Sequence, residues 1–111
     1  MPELHLDCPA GISGDMFLAA MADLGVDFGP VGEAFARAGV EVEIAAQATR
    51  DKGVAGRRMD IRAPGAQPLR HLADLTGIVR ALPLSEGIRA RSEAAFARLA
   101  EVEAAVHGCA V

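Results

Sequence analysis

The sequence contains no tryptophan or tyrosine, and only four phenylalanines, two cysteines and three histidines. Without large aromatics, alanine, leucine and valine must fill the core, so each buried residue removes little area from water and stability is modest. No basic stripe with interleaved aromatics runs through the chain, which argues against a nucleic-acid partner. No apolar run approaches the ~20 residues of a membrane span. Met1-Pro2-Glu3-Leu4-His5 lacks the charged and apolar regions of a signal peptide. Cys8 and Cys109, far apart in sequence, therefore read as reduced thiols, and a cytoplasmic location is the expectation.

What is present is a chain of 111 residues, 51% hydrophobic and 23% charged, with a net charge of −4. That composition belongs to a globular chain of one ordinary domain, residues 1–111. Leu4, Leu6 and Cys8 alternate with Glu3, His5 and Asp7, the pattern of a short strand. A turn from Pro9 to Ser13 follows, and Ser13 suits the N-cap of a helix through Met16, Phe17, Ala20, Met21 and Leu24, stopped by Gly25. Gly29-Pro30 opens a second helix that Gly39 ends.

From Val40 the period becomes two. Val42, Ile44, Ala46 and Ala48 alternate with polar positions, and Met59, Ile61 and Ala63 do the same further on. A hairpin connected through Arg50 to Gly56 joins them most simply. Leu72, Leu75, Ile78, Val79 and Leu82 mark a third helix, ended by Pro83. Ser85 caps a fourth, with Ile88, Ala95, Leu99, Val102 and Val106 on the face expected to be buried. The order β-α-α-β-β-α-α predicts an α/β or α+β sandwich with a small three-stranded sheet and about four helices.

The turn Gly11-Ile12-Ser13-Gly14-Asp15 holds the densest chemistry. The first amides of a helix lack internal partners, and Gly11 and Gly14 leave room for an anion to reach them. Asp7 and Asp15 flank the same spot and suit a divalent cation, and Cys8 adds a soft donor near a helix N-terminus. A well-capped helix with a tight structural turn accounts for the same residues. A P-loop does not, because no lysine follows the second glycine. His107-Gly108-Cys109 and His71 are weaker candidates: taken alone, a histidine favoured at a helix C-terminus and a lone surface histidine explain them better. Lys52 can contact a phosphate or simply occupy a solvated turn.

These motifs resemble one family in order. Leu6-Asp7-Cys8-Pro9-Ala10-Gly11-Ile12-Ser13-Gly14-Asp15-Met16, then Lys52-Gly53-Val54-Ala55-Gly56, Arg70-His71-Leu72 with Asp74, and Leu99 to Gly108 are similar to the LarC proteins of nickel-pincer cofactor biosynthesis. The resemblance implies a lyase, a CTP-dependent nickel chelatase that places Ni²⁺ into pyridinium-3,5-bisthiocarboxylic acid mononucleotide. It implies catalytic roles for Asp7 and Asp15. Gly11, Ser13, Gly14 and Lys52 would contact the nucleotide, and Asp7, Asp15, Cys8, His71 and His107 would serve as metal donors. CTP with Mg²⁺ or Mn²⁺ would bind a C-terminal domain that the family carries beyond the position of Val111. The chain is thus expected to be an N-terminal part, unable to complete the reaction alone, with that domain, a partner chain or a homo-oligomer completing it. It departs from the family at Ala63 to Pro68, where family members often carry a histidine-rich run and this loop has no histidine. Two other functions fit the residues: a non-catalytic metal- or phosphate-binding domain that needs a partner chain, and a Mg²⁺-dependent nucleotide-phosphate hydrolase.

Overall fold

A computed structural model describes residues 1–111 as four helices and two strands. The elements are α1 (Gly14–Asp23), α2 (Gly29–Arg37), β1 (Glu43–Asp51), β2 (Val54–Arg62), α3 (Leu72–Ala81) and α4 (Glu86–His107). They fall into two compact units, one of residues 1–29 and 43–62, the other of residues 30–42 and 63–111.

The first unit is α1 with the hairpin. β1 and β2 pair antiparallel over nine residues each, from Glu43 opposite Arg62 to Asp51 opposite Val54. Only Lys52 and Gly53 remain for the turn, both with positive φ (46° and 85°), the conformation of the two-residue turn that matches strand twist. The connection is therefore tighter than the Arg50–Gly56 loop expected from the glycines, and Gly56 lies inside β2. The guanidinium of Arg50 donates to the Gly53 carbonyl at 2.8 Å and braces the turn.

The register puts Met59 opposite Ala46 and Ile61 opposite Ile44, so the two alternating apolar sets share one face as their period requires. α1 lies against β2, where Ala19 and Met59 are the deeply buried pair, and Asp23 meets Arg57 at 3.4 Å. The opposite face of the hairpin carries Glu43, Gln47, Asp60 and Arg62, with Arg62 and Asp60 paired at 2.6 Å.

The expected first strand is absent. Residues 3–8 join no ladder, and Leu4 and Leu6 are about half exposed. Alternation gives a segment one apolar face but names no partner edge, and both outer edges of the β1–β2 hairpin stay unpaired. The sheet is two-stranded, and the order is α-α-β-β-α-α.

At the end of the first unit's leading segment the Asp27 carboxylate accepts the Gly29 amide at 2.9 Å and opens α2, whose remaining residues belong to the second unit. Gly39, at φ 79°, closes it, with the Val40 amide reaching back to the Phe35 carbonyl. Asp74 accepts the His71 amide at 2.8 Å at the start of α3, and Ser85 accepts the Ile88 amide at the start of α4. α3 packs on α4, burying Val79 and Ala104, while Phe35, Val40, Leu75, Ile78 and Phe96 line an apolar cleft of about 300 Å³. Arg80 bonds Glu93 through Nε at 2.9 Å and ties the two helices together.

The expected buried stripe of α4 faces solvent instead. Ile88, Leu99, Val102 and Val106 are 54%, 56%, 44% and 75% exposed. Ser92, Phe96, Ala100 and Ala104, centred roughly 100° round the helix, are among the partly or fully buried residues, with Arg89, Glu93 and Ala97 beside them. Small residues let α3 approach α4 closely along that side, and the larger aliphatics are left on the outer face.

Candidate functional site

At the turn before α1, Gly11 takes φ 82° and its amide donates to the Cys8 carbonyl at 3.0 Å, reversing the chain before the helix. The positive φ explains the glycine. Ser13 stands at the N-cap in extended conformation, and its carbonyl accepts the Phe17 amide at 3.0 Å. Its side chain makes no cap bond. The hydroxyl donates to the Asp15 carboxylate instead, which leaves Ser13 off the helix amides. A Cβ on Gly14 would meet nothing within 4 Å, which leaves that approach open.

The Ser13 hydrogen bond is the main reason the Asp15 carboxyl titrates below its ordinary value. Desolvation opposes the shift, and the Met16 and Asp15 backbone amides reinforce it. Because the folded value is lowered, the interaction favours the folded state above the unfolded carboxyl range and is lost as pH falls through the folded value. Ser13→Ala should raise the Asp15 midpoint toward the ordinary aspartate value in a carboxyl NMR titration. An unchanged midpoint would rule out Ser13 as the cause.

Asp7 is exposed and Cys8 half-buried on the same turn. Lys52 is exposed at the hairpin tip, where its φ of 46° is explained by the turn itself. No group of three or more His, Cys, Asp or Glu side chains forms a metal-holding cluster, at the turn or elsewhere.

The structure brings His71 and His107 together. His71 precedes the first residue of α3 and His107 is the last of α4, and both line one cavity of about 910 Å³ in the second unit. Thr76, Arg80, Glu103 and Cys109 share its wall. His107 Nε2 lies 3.3 Å from Glu103 Oε2, one helical turn earlier. Gly108, in the left-handed conformation at φ 64°, ends α4 and turns Cys109 to the cavity wall. Read in sequence these residues are a lone histidine and a helix-end pair. Packing of α3 on α4 makes them neighbours of one space, and Glu103, which reads as the wet face of a helix, is one of its polar groups. The signal that could have found the cavity is positional: both histidines stand at helix ends, on successive helices joined by a short connection.

Imidazole, carboxylate and thiol groups line this cavity without forming a cluster of three. Its volume is that of a small-molecule site. No helix is long and apolar enough to cross a membrane.

Residues 4–111 match the family model described as nickel insertion protein. A Geobacter sulfurreducens protein named for nickel insertion is 39% identical over 97% of this chain and 29% of its own length. A Roseiflexus castenholzii protein with the same kind of name is 37% identical over 97% of this chain and 28% of its own. A Desulfitobacterium hafniense protein named pyridinium-3,5-bisthiocarboxylic acid mononucleotide nickel insertion protein is 34% identical over 97% of this chain and 27% of its own length. The chain thus spans under a third of the length of these curated relatives. No solved structure matches it. The family match over nearly the whole chain makes this chain a member of the nickel insertion protein family.

Proposed function

We propose that the chain handles Ni²⁺ as cargo for insertion into pyridinium-3,5-bisthiocarboxylic acid mononucleotide, working as one part of a longer nickel insertion protein. The observation that carries this reading is the shared cavity, whose wall includes His71, His107, Glu103 and Cys109. An insertion protein must bind nickel and then give it up. Donors spread around a wall, with no closed cluster of three, suit release better than retention. Imidazole holds Ni²⁺ adequately, and the two sulfur-bearing groups of the acceptor can replace it donor by donor. Arg80 adds a positive charge for an anionic acceptor, oriented by Glu93.

The turn before α1 is the proposed phosphate seat, with Gly11, Ser13 and Gly14 exposing the helix amides and Lys52 as an additional cation. Asp7 and Asp15 would hold a divalent ion beside that phosphate, and Cys8 is an auxiliary donor. The carboxylates fit Mg²⁺ or Mn²⁺ by type, with the Asp15 carboxylate already engaged by Ser13. CTP dependence is assigned, in this reading, to the part of the longer protein that carries the nucleotide domain. Mixed donors without a closed set also fit a binding module that depends on a partner chain for turnover.

Equilibrium dialysis of the reduced chain against Ni²⁺ tests the cavity. Binding in the micromolar range is expected, weakened about ten-fold or more by either His71→Ala or His107→Ala, while Asp15→Asn leaves it unchanged. Undiminished binding by the double histidine variant would overturn the assignment.

A further inference from the structure

We propose that the solvent-facing stripe of α4 pairs with the same stripe of a second copy, the two helices running parallel and in register. The stripe follows a heptad. Leu99 and Val106 occupy one core position, and Ile88, Ala95 and Val102 the other, along about 27 Å of helix. Its large aliphatics are 44–75% exposed. A continuous apolar row of that length on a helix already packed by its other side marks an interaction surface.

The charges at its edges choose the partner and the direction. In a parallel pair the residue just before one core position faces the partner's residue five places later, which sets Arg98 opposite the partner's Glu103, twice by symmetry. Both side chains are mostly exposed, 75% and 62%. Each now makes only an exposed pair within its own helix, Arg98 with Glu101 and Glu103 with His107, so exchanging partners costs little. Antiparallel pairing would instead set the edge bearing Arg91 and Arg98 against the same edge of the partner, a like-charge contact. A self-complementary apolar seam with matched charges is what a twofold pair of identical chains requires.

The proposal is tested with the 111-residue chain carrying Cys8→Ser, which leaves Cys109 as its sole thiol. Sedimentation across concentration should show a monomer–dimer equilibrium. Leu99→Glu, at a residue exposed in the protomer, should weaken the dimer about ten-fold or more with the helical circular dichroism unchanged. Arg98→Glu alone should also weaken it, and Arg98→Glu with Glu103→Arg should restore it. Because Cys109 directly follows the end of α4, a short bismaleimide should join two copies through Cys109 in the parallel pair; in the antiparallel pair the two thiols would lie roughly 27 Å or more apart. A chain that stays monomeric, a dimer indifferent to Leu99→Glu, or a dimer that the reagent cannot join would each overturn the proposal.

Discussion

Met59→Ala should destabilise the hairpin unit by about 2–5 kcal/mol, a large part of the stability of so small a body. Met59 is 5% exposed, and with Ala19 it makes up the deeply buried part of that unit. Shortening the side chain removes the apolar contact between β2 and α1 and leaves a gap that the paired strands are too constrained to close. Little of the loss can be shared, since on the same face Ile61 is already exposed and Ile44 only half-buried. The exposed Arg57–Asp23 pair is too weak to hold the helix alone. Hydrogen exchange should show the amides of β2 and α1 losing protection together, while those of α3 and α4 keep theirs. A loss below about 0.5 kcal/mol in denaturant titration would mean that the Met59–Ala19 contact does not hold this unit together.

Val79→Asp should be more damaging to the other unit, by upwards of about 3 kcal/mol. The side chain is 4% exposed between α3 and α4, so the change forfeits apolar burial and places a carboxylate where it has no partner. Burial would raise that carboxyl's folded pKa above its unfolded value. The folded variant then binds protons more readily than the unfolded one, and its deficit should shrink as pH falls from neutrality toward 4. Val79→Ala, which loses the apolar contact without introducing charge, should cost about 1.5–3 kcal/mol and show no such pH dependence. Since α3 and α4 form the wall that carries His71 and His107, Val79→Asp should also abolish nickel retention, whereas Met59→Ala should leave it intact. Equal nickel binding by both variants would separate the metal site from this packing.

The local signals in the sequence were reliable where the chemistry was local. Gly25 and Gly39 each stand at positive φ just past a helix, as chain reversal demands. Ser13 and Ser85 stand at N-caps, although only Ser85 accepts a helix amide. The hairpin followed from two alternating runs, and its register followed from their shared period. Leu4 to Cys8 misled because alternation describes a face and says nothing of a partner edge. The α4 stripe misled in the opposite way. Its periodicity was real, but the neighbour that packs on α4 sits on the side of Ser92, Phe96, Ala100 and Ala104.

The sequence by itself determined the helix ends, the hairpin and the family, because caps, glycine stops, alternation and ordered motifs act over a few residues or are read directly as letters. Tertiary structure alone decided which face of α4 is buried and which remains free. It also decided that His71 and His107 open onto one cavity. Both outcomes depend on where α3 lies against α4, and close approach there is governed by small side chains whose pattern carries little hydrophobic signal. The turn at Gly11 to Asp15 stands between these cases. Its backbone follows from its glycines, while the bond that turns Ser13 from helix cap to partner of Asp15 is a choice between two acceptors made only in the folded chain.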